Sequence, residues 1–316
     1  MSRNSTELLI DLSSAQIGGN VLAASDELLG PKEGLLTSSQ AGWETRRRHA
    51  KGHDWAIVAL GVPGVIRHVV VDTTGFVGRQ PAQISVESIR LPGSPDIVEL
   101  VRDPGRWAEI VPRSSPAIDR VETFVVGSAH AATHIRLVMY PDGGIAGLRV
   151  LGDPTPREGL LDGEAEIDLA AVGNGARVID CSGPSFSSPN EMLGNDGRWL
   201  THRRRDTGHE WAMIRLAGRG SLDRLEVDTT DLIGDAPESI AVDGVDALGA
   251  NLKTLRKVDW TPLLASTVTE VGSIATYPDL EPIGVVTHVR LNLHPDGGIT
   301  RFKAFGVSEE PWMLPS

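Results

Sequence analysis

Residues Gly42–Gly61 read GWETRRRHAKGHDWAIVALG, and they align without a gap with residues Arg198–Ala217, RWLTHRRRDTGHEWAMIRLA. Both stretches carry three consecutive arginines, then a glycine, a histidine, an acidic residue and a tryptophan, and then a run of mostly apolar residues. Apolar and β-branched runs of this length predict a buried β-strand. The agreement between two distant stretches indicates that the chain contains an internal repeat.

Two further blocks repeat in the same order along the chain. Val71–Thr74 (VDTT) matches Val227–Thr230, and Thr133–Ile145 (THIRLVMYPDGGI) matches Thr287–Ile299 (THVRLNLHPDGGI). Separated blocks that align in the same order identify a duplication. We place the boundary in the Pro- and Gly-containing stretch Gly152–Glu164. The predicted domains are residues 1–155 and 156–316.

Each copy reads as short strands separated by turns. We expect a turn at Gly61–Gly64, between two apolar runs, and β-hairpins closed by Pro141–Gly144 and Pro295–Gly298. Asp142 and Asp296 are interpreted as turn residues that bond their own backbone. No amphipathic helix longer than two turns is predicted, although residues 26–36 suit a short one. Together these patterns predict an all-β protein, of sandwich or barrel type.

Composition limits the class of protein. The chain has 316 residues, 40% hydrophobic and 23% charged, with 35 glycines and 20 prolines, which is typical of a turn-rich globular protein. Its net charge of −12 argues against nucleic-acid binding. No apolar run approaches the roughly 20 residues that cross a bilayer, and the N-terminus does not resemble a signal peptide. Cys181 is the single cysteine, which excludes an intramolecular disulfide framework. We expect a cytoplasmic protein without membrane contact.

The blocks GWETRRR, GHDW, VDTTGF and THIRLVMYPDGGI together resemble the repeats of the allantoicase family. The tryptophan strand followed by a glycine turn is similar to the galactose-binding-like jelly roll. The resemblance covers nearly the whole chain and implies two tandem jelly-roll β-sandwich repeats. It also implies hydrolysis of allantoate to ureidoglycolate and urea, a small anionic ureido-type substrate and a homo-oligomer.

The repeated arginines are the first candidate site residues. A guanidinium group binds a carboxylate through two parallel hydrogen bonds, in a geometry that an ammonium group cannot match. We therefore expect Arg46, Arg47 and Arg48 to bind substrate, with Arg203 and Arg204 as their counterparts in the second copy. Because side chains alternate along a strand, Arg46 and Arg48 are predicted to share one face, with Arg47 on the other.

Two acidic residues and two histidines near the arginines complete this candidate site. A histidine can act as a general acid or base, and a nearby carboxylate raises its basicity, so His53 and Asp54 are candidate catalytic residues. Capping of a turn is the alternative role for His53, and the resemblance favours the site role. Glu44 is a candidate for orienting an arginine or binding a urea nitrogen; a surface salt bridge is equally compatible. His209 is the counterpart of His53 and a candidate for binding substrate.

His134 and His288 lie at the start of the matching Thr-His strands. They are candidates for binding substrate, and the alternative is a core or edge histidine. Suitable metal-ligand types are also present among the candidate residues, but no metal-binding motif is: His53, Asp54, His134 and Glu44. The sequence requires no cofactor and leaves a divalent metal open.

Two other functions remain open at this point. The family usually shows Phe-x-Gly-Asn after its Asp-Thr strand, whereas this chain has Phe76–Arg79 and Leu232–Asp235 at those positions. These departures are the reason for the second hypothesis, a diverged enzyme of the same fold that acts in specialised metabolism. A non-catalytic carbohydrate- or small-ligand-binding jelly roll is the third interpretation. The aromatic content of 4% argues against it, because the tryptophans are expected mainly in the core.

Overall fold

The computed structural model describes residues 8–37, 42–93, 95–102, 104–163, 165–183, 185–195 and 197–311. The chain divides into two compact units. The N-terminal unit comprises residues 10–153, and the C-terminal unit comprises residues 154–311 together with residues 8 and 9. The assignment of residues 8 and 9 differs from the predicted one, because the Leu8 carbonyl accepts a hydrogen bond from Asn190 Nδ2 at 3.0 Å.

The two units contain the same elements in the same order. The strands of the N-terminal unit are β1 (Ile10–Asp11), β2 (Asn20–Ala24), β3 (Trp43–Glu44), β4 (Asp54–Asp72), β5 (Gln83–Ile89), β6 (Ala108–Ser114), β7 (Val121–Val125), β8 (Ala131–Tyr140), β9 (Gly144–Ile145) and β10 (Gly147–Pro154). A short helix α1 (Ile97–Arg102) lies between β5 and β6. The stretch 26–36 contains a single 3-10 turn, Lys32–Leu35.

The strands of the C-terminal unit are β11 (Ile167–Asp168), β12 (Arg177–Cys181), β13 (Trp199–Leu200), β14 (Glu210–Asp228), β15 (Ser239–Val245), β16 (Thr261–Val268), β17 (Ile274–Tyr277), β18 (Val285–His294), β19 (Gly298–Ile299) and β20 (Arg301–Pro311), with α2 (Leu252–Leu255) between β15 and β16. The prediction of an all-β protein built from two tandem repeats is confirmed. Within the described ranges, no helix is long and apolar enough to span a membrane.

The 19-residue strand β4 organises the N-terminal unit. Its first half lies between β2 and β8, and its second half lies between β7 and β10. One layer therefore has the order β2-β4-β8-β5-β6, and the other has the order β1-β10-β4-β7. Strand β14 joins the corresponding layers of the C-terminal unit in the same way.

The predicted turn at Gly61–Gly64 is wrong, because β4 runs through these residues with only a shift of register after Ala59. The glycines are needed for close packing rather than for a reversal of the chain. A Cβ atom on Gly61 would lie 2.5 Å from the Ile17 carbonyl oxygen. The neighbouring backbone approaches β4 too closely for any side chain at this point.

The predicted PDGG hairpins are also wrong. Strands β8 and β10 flank β4 and do not pair with each other, and β18 and β20 flank β14 in the same way. The Tyr140–Pro141 peptide bond is cis, and Gly143 has a φ of 152°. The turn leads instead into β9, which pairs with β3 just before the arginine run. This pairing brings the PDGG turn next to the candidate site residues.

The core of each unit lies between its two layers. Trp43 and Trp199 are fully buried, so the prediction that these tryptophans belong to the core is confirmed, while Trp55 and Trp211 are half-buried. Ile57, Ile135 and Leu137 are among the fully buried apolar side chains of β4 and β8. Each buried side chain of this kind contributes roughly 1.5–3 kcal/mol to the stability of the folded state. These strands therefore provide a rigid base for the loops at their ends.

A buried histidine makes the stability of the C-terminal unit sensitive to acid. Burial, with a smaller contribution from the charge of Arg215, lowers the pKa of His288 to about 3. Between pH 6.5 and 3 the unfolded chain therefore binds a proton that the folded chain does not. The free energy of unfolding should fall with decreasing pH by up to about 1.4 kcal/mol per pH unit from this group. Urea unfolding at pH 7.5 and at pH 5.0 gives the decrease in the free energy of unfolding between these pH values. This decrease should be about 2 kcal/mol smaller in His288→Asn than in the unsubstituted protein.

The exposed His130 provides the matched control, because His130→Asn should keep the full pH dependence. An unchanged pH dependence in His288→Asn would contradict this assignment.

Candidate active site

The arginine run of the N-terminal unit follows β3 and is not a strand. Strand β3 ends at Glu44, and the Thr45 amide donates to the Gly143 carbonyl at 3.0 Å. The Arg48 amide donates to Asp142 Oδ2 at 2.7 Å. The backbone of the run is therefore bonded to the PDGG turn, so the predicted alternation of faces is wrong. Asp142 serves this loop and not its own backbone.

The three arginine side chains enter different environments. Arg46 forms an ion pair with Asp26, with Nη2 and Oδ2 2.6 Å apart, and the hydrogen bonds from Arg46 lower the pKa of that carboxyl against the opposing effect of burial. Arg48 forms an ion pair with Asp54 at 2.5 Å. Arg47 is exposed and has no ion pair among the residues that the structure describes. The three guanidinium groups therefore do not converge in this arrangement, because two of them are paired with different acids, and their binding of substrate stays a prediction.

Asp54 is the buried anchor of this loop. Its side chain is 3% exposed, and its Oδ1 atom accepts from Arg48 and from the Ser25 hydroxyl, the latter at 3.0 Å. The Trp55 amide donates to the same Ser25 hydroxyl at 3.0 Å. The predicted catalytic carboxylate therefore faces Arg48, where it positions the loop.

Glu44, the other predicted catalytic acid, forms an ion pair with Arg79 at 2.6 Å. This contact corresponds to the alternative of a salt bridge that the sequence had left open. Because Arg79 is 56% exposed, the pair lies at the surface and contributes little to stability.

His53 lies at the rim of an open pocket of about 610 Å³, next to the Arg48 loop. The lining residues are Gly52, His53, Ala82, Gln83, Arg113, Ser115, Tyr140 and Pro141. The His53 ring lies 5.4 Å from the Tyr140 ring, with an angle of 53° between the planes. His53 forms no hydrogen bond within the described part of the chain. Both ring nitrogens therefore remain available to a ligand in the pocket.

Sequence reasoning missed four polar residues of this pocket: Gln83, Arg113, Ser115 and Tyr140. The Arg113 guanidinium carbon lies 3.9 Å from the centre of the Tyr140 ring. Tyr140 directly precedes the PDGG turn, but the second copy has a histidine there, so the repeat comparison did not mark the position. Arg113 lies outside every repeated block, so nothing in the sequence indicated it.

The C-terminal unit repeats the buried ion pair. Arg204 Nη1 lies 2.8 Å from Glu210 Oε1, and the Arg204 amide donates to Asp296 Oδ2 at 2.6 Å. The Ser182 hydroxyl donates to Glu210, as Ser25 donates to Asp54. Arg203 is 84% exposed and lies 3.7 Å from Asp235. Arg203 and Arg204, the two residues of the second run that were predicted to bind substrate, therefore face different partners, and their role in binding stays a prediction.

His209 differs from its counterpart His53 because its ring is already engaged. Its Nε2 atom lies 3.2 Å from Asn292 Oδ1, and its ring is 4.5 Å from the His294 ring. Burial is the main reason for the lowered pKa of His294, and His209 adds to it. His53 is thus the freer of the two equivalent histidines.

His134 and His288 lie inside the sheets. They are 5% and 1% exposed, and each Nδ1 atom is hydrogen-bonded to the preceding threonine hydroxyl, at 2.8 and 2.9 Å. Burial also lowers the pKa of His134. This placement argues against their predicted contact with substrate, because a ligand from solvent does not reach either ring. It corresponds to the alternative role of core histidines.

The metal-ligand types that the sequence offered are not brought together. Among the described residues, no three His, Cys, Asp or Glu side chains are grouped so that they could hold a metal ion. His53 opens to the pocket, Asp54 points to Arg48, Glu44 points to Arg79 and His134 is buried.

The protein is a tandem repeat of two β-sandwich units. In each unit an arginine loop forms an ion pair with a buried acid and a hydrogen bond with a PDGG turn. The model of the allantoicase repeat matches residues 10–155 and 167–309. A probable allantoicase from Nocardia farcinica is 38% identical, over 96% of this chain and 95% of that protein. One from Streptomyces avermitilis is 35% identical, over 95% and 86%.

A solved structure agrees with these relatives. The crystal structure of allantoicase from Saccharomyces cerevisiae has a TM-score of 0.76 and 32% identity, and the match covers 94% of this chain and 92% of that one. This chain belongs to the allantoicase family. The comparisons favour neither a diverged activity nor a carbohydrate-binding role.

The buried Arg48–Asp54 pair should be important for the stability of the N-terminal unit. Loss of one partner of a buried ion pair typically costs about 3–5 kcal/mol. Because Arg48 is 29% exposed, we expect a smaller loss, about 2–3 kcal/mol, for Asp54→Ala in urea unfolding.

Arg46→Ala is the matched control for this measurement. Arg46 is 64% exposed, and Asp26, although only 12% exposed, would keep its hydrogen bonds from the Leu28 and Arg46 amides, so the substitution should cost less than about 1 kcal/mol. Equal losses in the two variants would contradict the central position of the Arg48–Asp54 pair.

Proposed function

We propose that this protein hydrolyses allantoate to ureidoglycolate and urea, in the pocket of the N-terminal unit, with His53 as the proton-transfer group. The observation that carries the proposal is the free His53 ring at the rim of an open pocket, in a chain of the allantoicase family. The named relatives are allantoicases or probable allantoicases, and the matches cover 86%, 95% and 92% of their lengths. The reaction class is therefore hydrolysis of a C–N bond in a linear amidine.

The chemistry requires a group that moves a proton. Allantoate carries a carboxylate and two ureido groups on one carbon. In the reaction, the bond from this carbon to one ureido nitrogen breaks, and a bond to the oxygen of water forms. The departing nitrogen gains a proton and leaves as urea, while the water oxygen loses one. A histidine beside the carbon can donate the first proton and accept the second, so that it is regenerated.

The ion pair next to the pocket supports His53 by fixing its loop. Gly52 has a φ of 139°, a conformation that favours glycine, and a Cβ atom there would lie 3.2 Å from Arg48 Nη1. The guanidinium group of Arg48 therefore lies directly against the backbone that precedes His53. In this proposal Arg48 and Asp54 are positioning residues, and Arg47, which is exposed, remains a candidate for contact with substrate as it enters.

We also propose a cytoplasmic location and a homo-oligomeric state. The cytoplasmic location is supported by the single cysteine, and the homo-oligomer is supported by the family membership. Analytical ultracentrifugation of the purified chain tests the second of these.

The central test is the release of urea from allantoate by the purified protein and by His53→Gln. Loss of a general acid or base typically lowers the rate about 10²- to 10⁴-fold, so kcat should fall by that amount with the fold intact by circular dichroism. Absence of urea release by the folded, unsubstituted protein would remove the proposed activity.

Two further histidine variants make this experiment specific. His130→Gln changes an exposed histidine outside the pocket and should leave kcat unchanged. His209→Gln tests the equivalent position of the C-terminal unit. If kcat falls in His209→Gln and not in His53→Gln, the reaction occurs in the C-terminal unit and the assignment to His53 is wrong.

A further inference from the structure

Arg113, near the end of β6, is a cation in the pocket, and no acidic side chain of the described residues forms an ion pair with it. Other arginines of the same unit lie in ion pairs with Asp or Glu: Arg46, Arg48, Arg67, Arg79, Arg106 and Arg136. Arg113 forms no such pair among the residues that the structure describes, although the chain carries a net charge of −12. An unpaired guanidinium group in a pocket is a binding group for an external anion.

The position of Arg113 is fixed by an aromatic ring. Its guanidinium carbon lies 3.9 Å from the centre of the Tyr140 ring, which is within the range of a cation–π contact. The Tyr140 hydroxyl lies 3.1 Å from the hydroxyl of the buried Ser85. Contact with a ring leaves the guanidinium N–H groups free to donate in the plane. Arg113 is exposed, and this contact restrains its guanidinium group before a ligand arrives, which reduces the entropic cost of binding.

We propose that Arg113 binds the carboxylate of the substrate, and that Tyr140 positions it for this purpose. The inference rests on the proposed function for the identity of the substrate. Tyr140 is next to both Arg113 and His53 in the lining of the pocket, with its ring 5.4 Å from the His53 ring. Because the carboxylate and the scissile C–N bond of allantoate share one carbon, a single substrate molecule beside Tyr140 can contact Arg113 with its carboxylate and His53 with the departing nitrogen.

The other polar groups of the pocket suit the rest of a ureido acid. Gln83 contributes an amide, which both donates and accepts, and Ser115 contributes a hydroxyl. A ureido group presents N–H donors and one carbonyl acceptor, so these side chains complement it. The pocket therefore selects for a carboxylate together with a neutral ureido group, and not for a carboxylate alone.

The C-terminal unit lacks this arrangement. In the N-terminal unit Ile84 pairs with Ser114, and in the C-terminal unit Ile240 pairs with Thr267. This register makes Ser266 the counterpart of Arg113 and Ser239 the counterpart of Gln83. These two serine hydroxyls lie 3.2 Å apart and are hydrogen-bonded to each other. At these equivalent positions the C-terminal unit therefore has no cation, whereas the N-terminal unit has Arg113 beside the free His53 ring.

The test compares Arg113→Gln with the unsubstituted protein in two measurements. In urea release from allantoate, KM should rise about 10- to 100-fold, which is the usual effect of losing a charge-assisted pair, while kcat changes less. In calorimetric binding, the probes are ureidoacetate and its neutral amide, ureidoacetamide. The unsubstituted protein should prefer ureidoacetate by at least about tenfold, and Arg113→Gln should lose that preference.

Two other variants separate a specific role from a general effect. Arg113→Lys keeps the charge but loses the planar fork, so its KM should lie between those of the other two proteins. Arg224→Gln removes an arginine that also lies over an aromatic ring, Phe305, at 3.6 Å, but in the C-terminal unit and paired with Glu166. It should leave KM and the preference between probes unchanged.

The outcomes distinguish this inference from the proposed function. If the protein releases urea but Arg113→Gln keeps both its KM and its preference for ureidoacetate, Arg113 is not the carboxylate-binding residue and the proposed function stands. If no protein releases urea but the preference for ureidoacetate depends on Arg113, the proposed function fails and the binding role is supported.

Discussion

The arrangement of the pocket depends on one buried ion pair, Arg48 with Asp54. The carboxylate is almost completely buried at the first residue of β4. The arginine that contacts it belongs to a loop outside the strands. The same arginine donates its backbone amide to Asp142 of the PDGG turn. Arg48 therefore connects the arginine loop to the long strand β4 and to the PDGG turn. A neutral side chain at position 48 would leave the buried carboxylate without an opposite charge.

The duplication preserves this framework and changes the pocket beside it. Arg204, Glu210 and Asp296 reproduce the contacts of Arg48, Asp54 and Asp142, with glutamate in place of aspartate. The pocket residues are different, because His294 replaces Tyr140 and fills the space next to His209. The structural part of the repeated motif thus persists in both units. At the positions equivalent to His53 and Arg113, the C-terminal unit has a hydrogen-bonded histidine, His209, and a serine, Ser266.

The sequence predicted the duplication, the all-β class and the burial of Trp43 and Trp199, because these follow from the order of blocks and from hydrophobic pattern. It did not predict the course of β4, because Gly61–Gly64 has the composition of a turn, and only tertiary packing shows that the glycines admit neighbouring backbone. It also misplaced the PDGG turns, since a local motif does not specify which strands lie side by side. The arginine run was predicted to bind substrate because its three residues are contiguous and recur in both copies. The guanidinium group that borders the pocket comes from β6, far away in the sequence, and no local pattern connects it to His53.

The passage of one strand through both layers has a consequence for the dynamics of the unit. In β4, hydrogen bonds to β2 and β8 continue directly into hydrogen bonds to β7 and β10. Neither layer can detach its central strand while the other stays intact, so the two are expected to open together as one cooperative unit. Amide protons at Ile57 and at Val70, in opposite halves of β4, should then exchange with deuterium at a similar, slow rate. Motion on faster timescales is left to the loops at the strand ends, where the pocket lies.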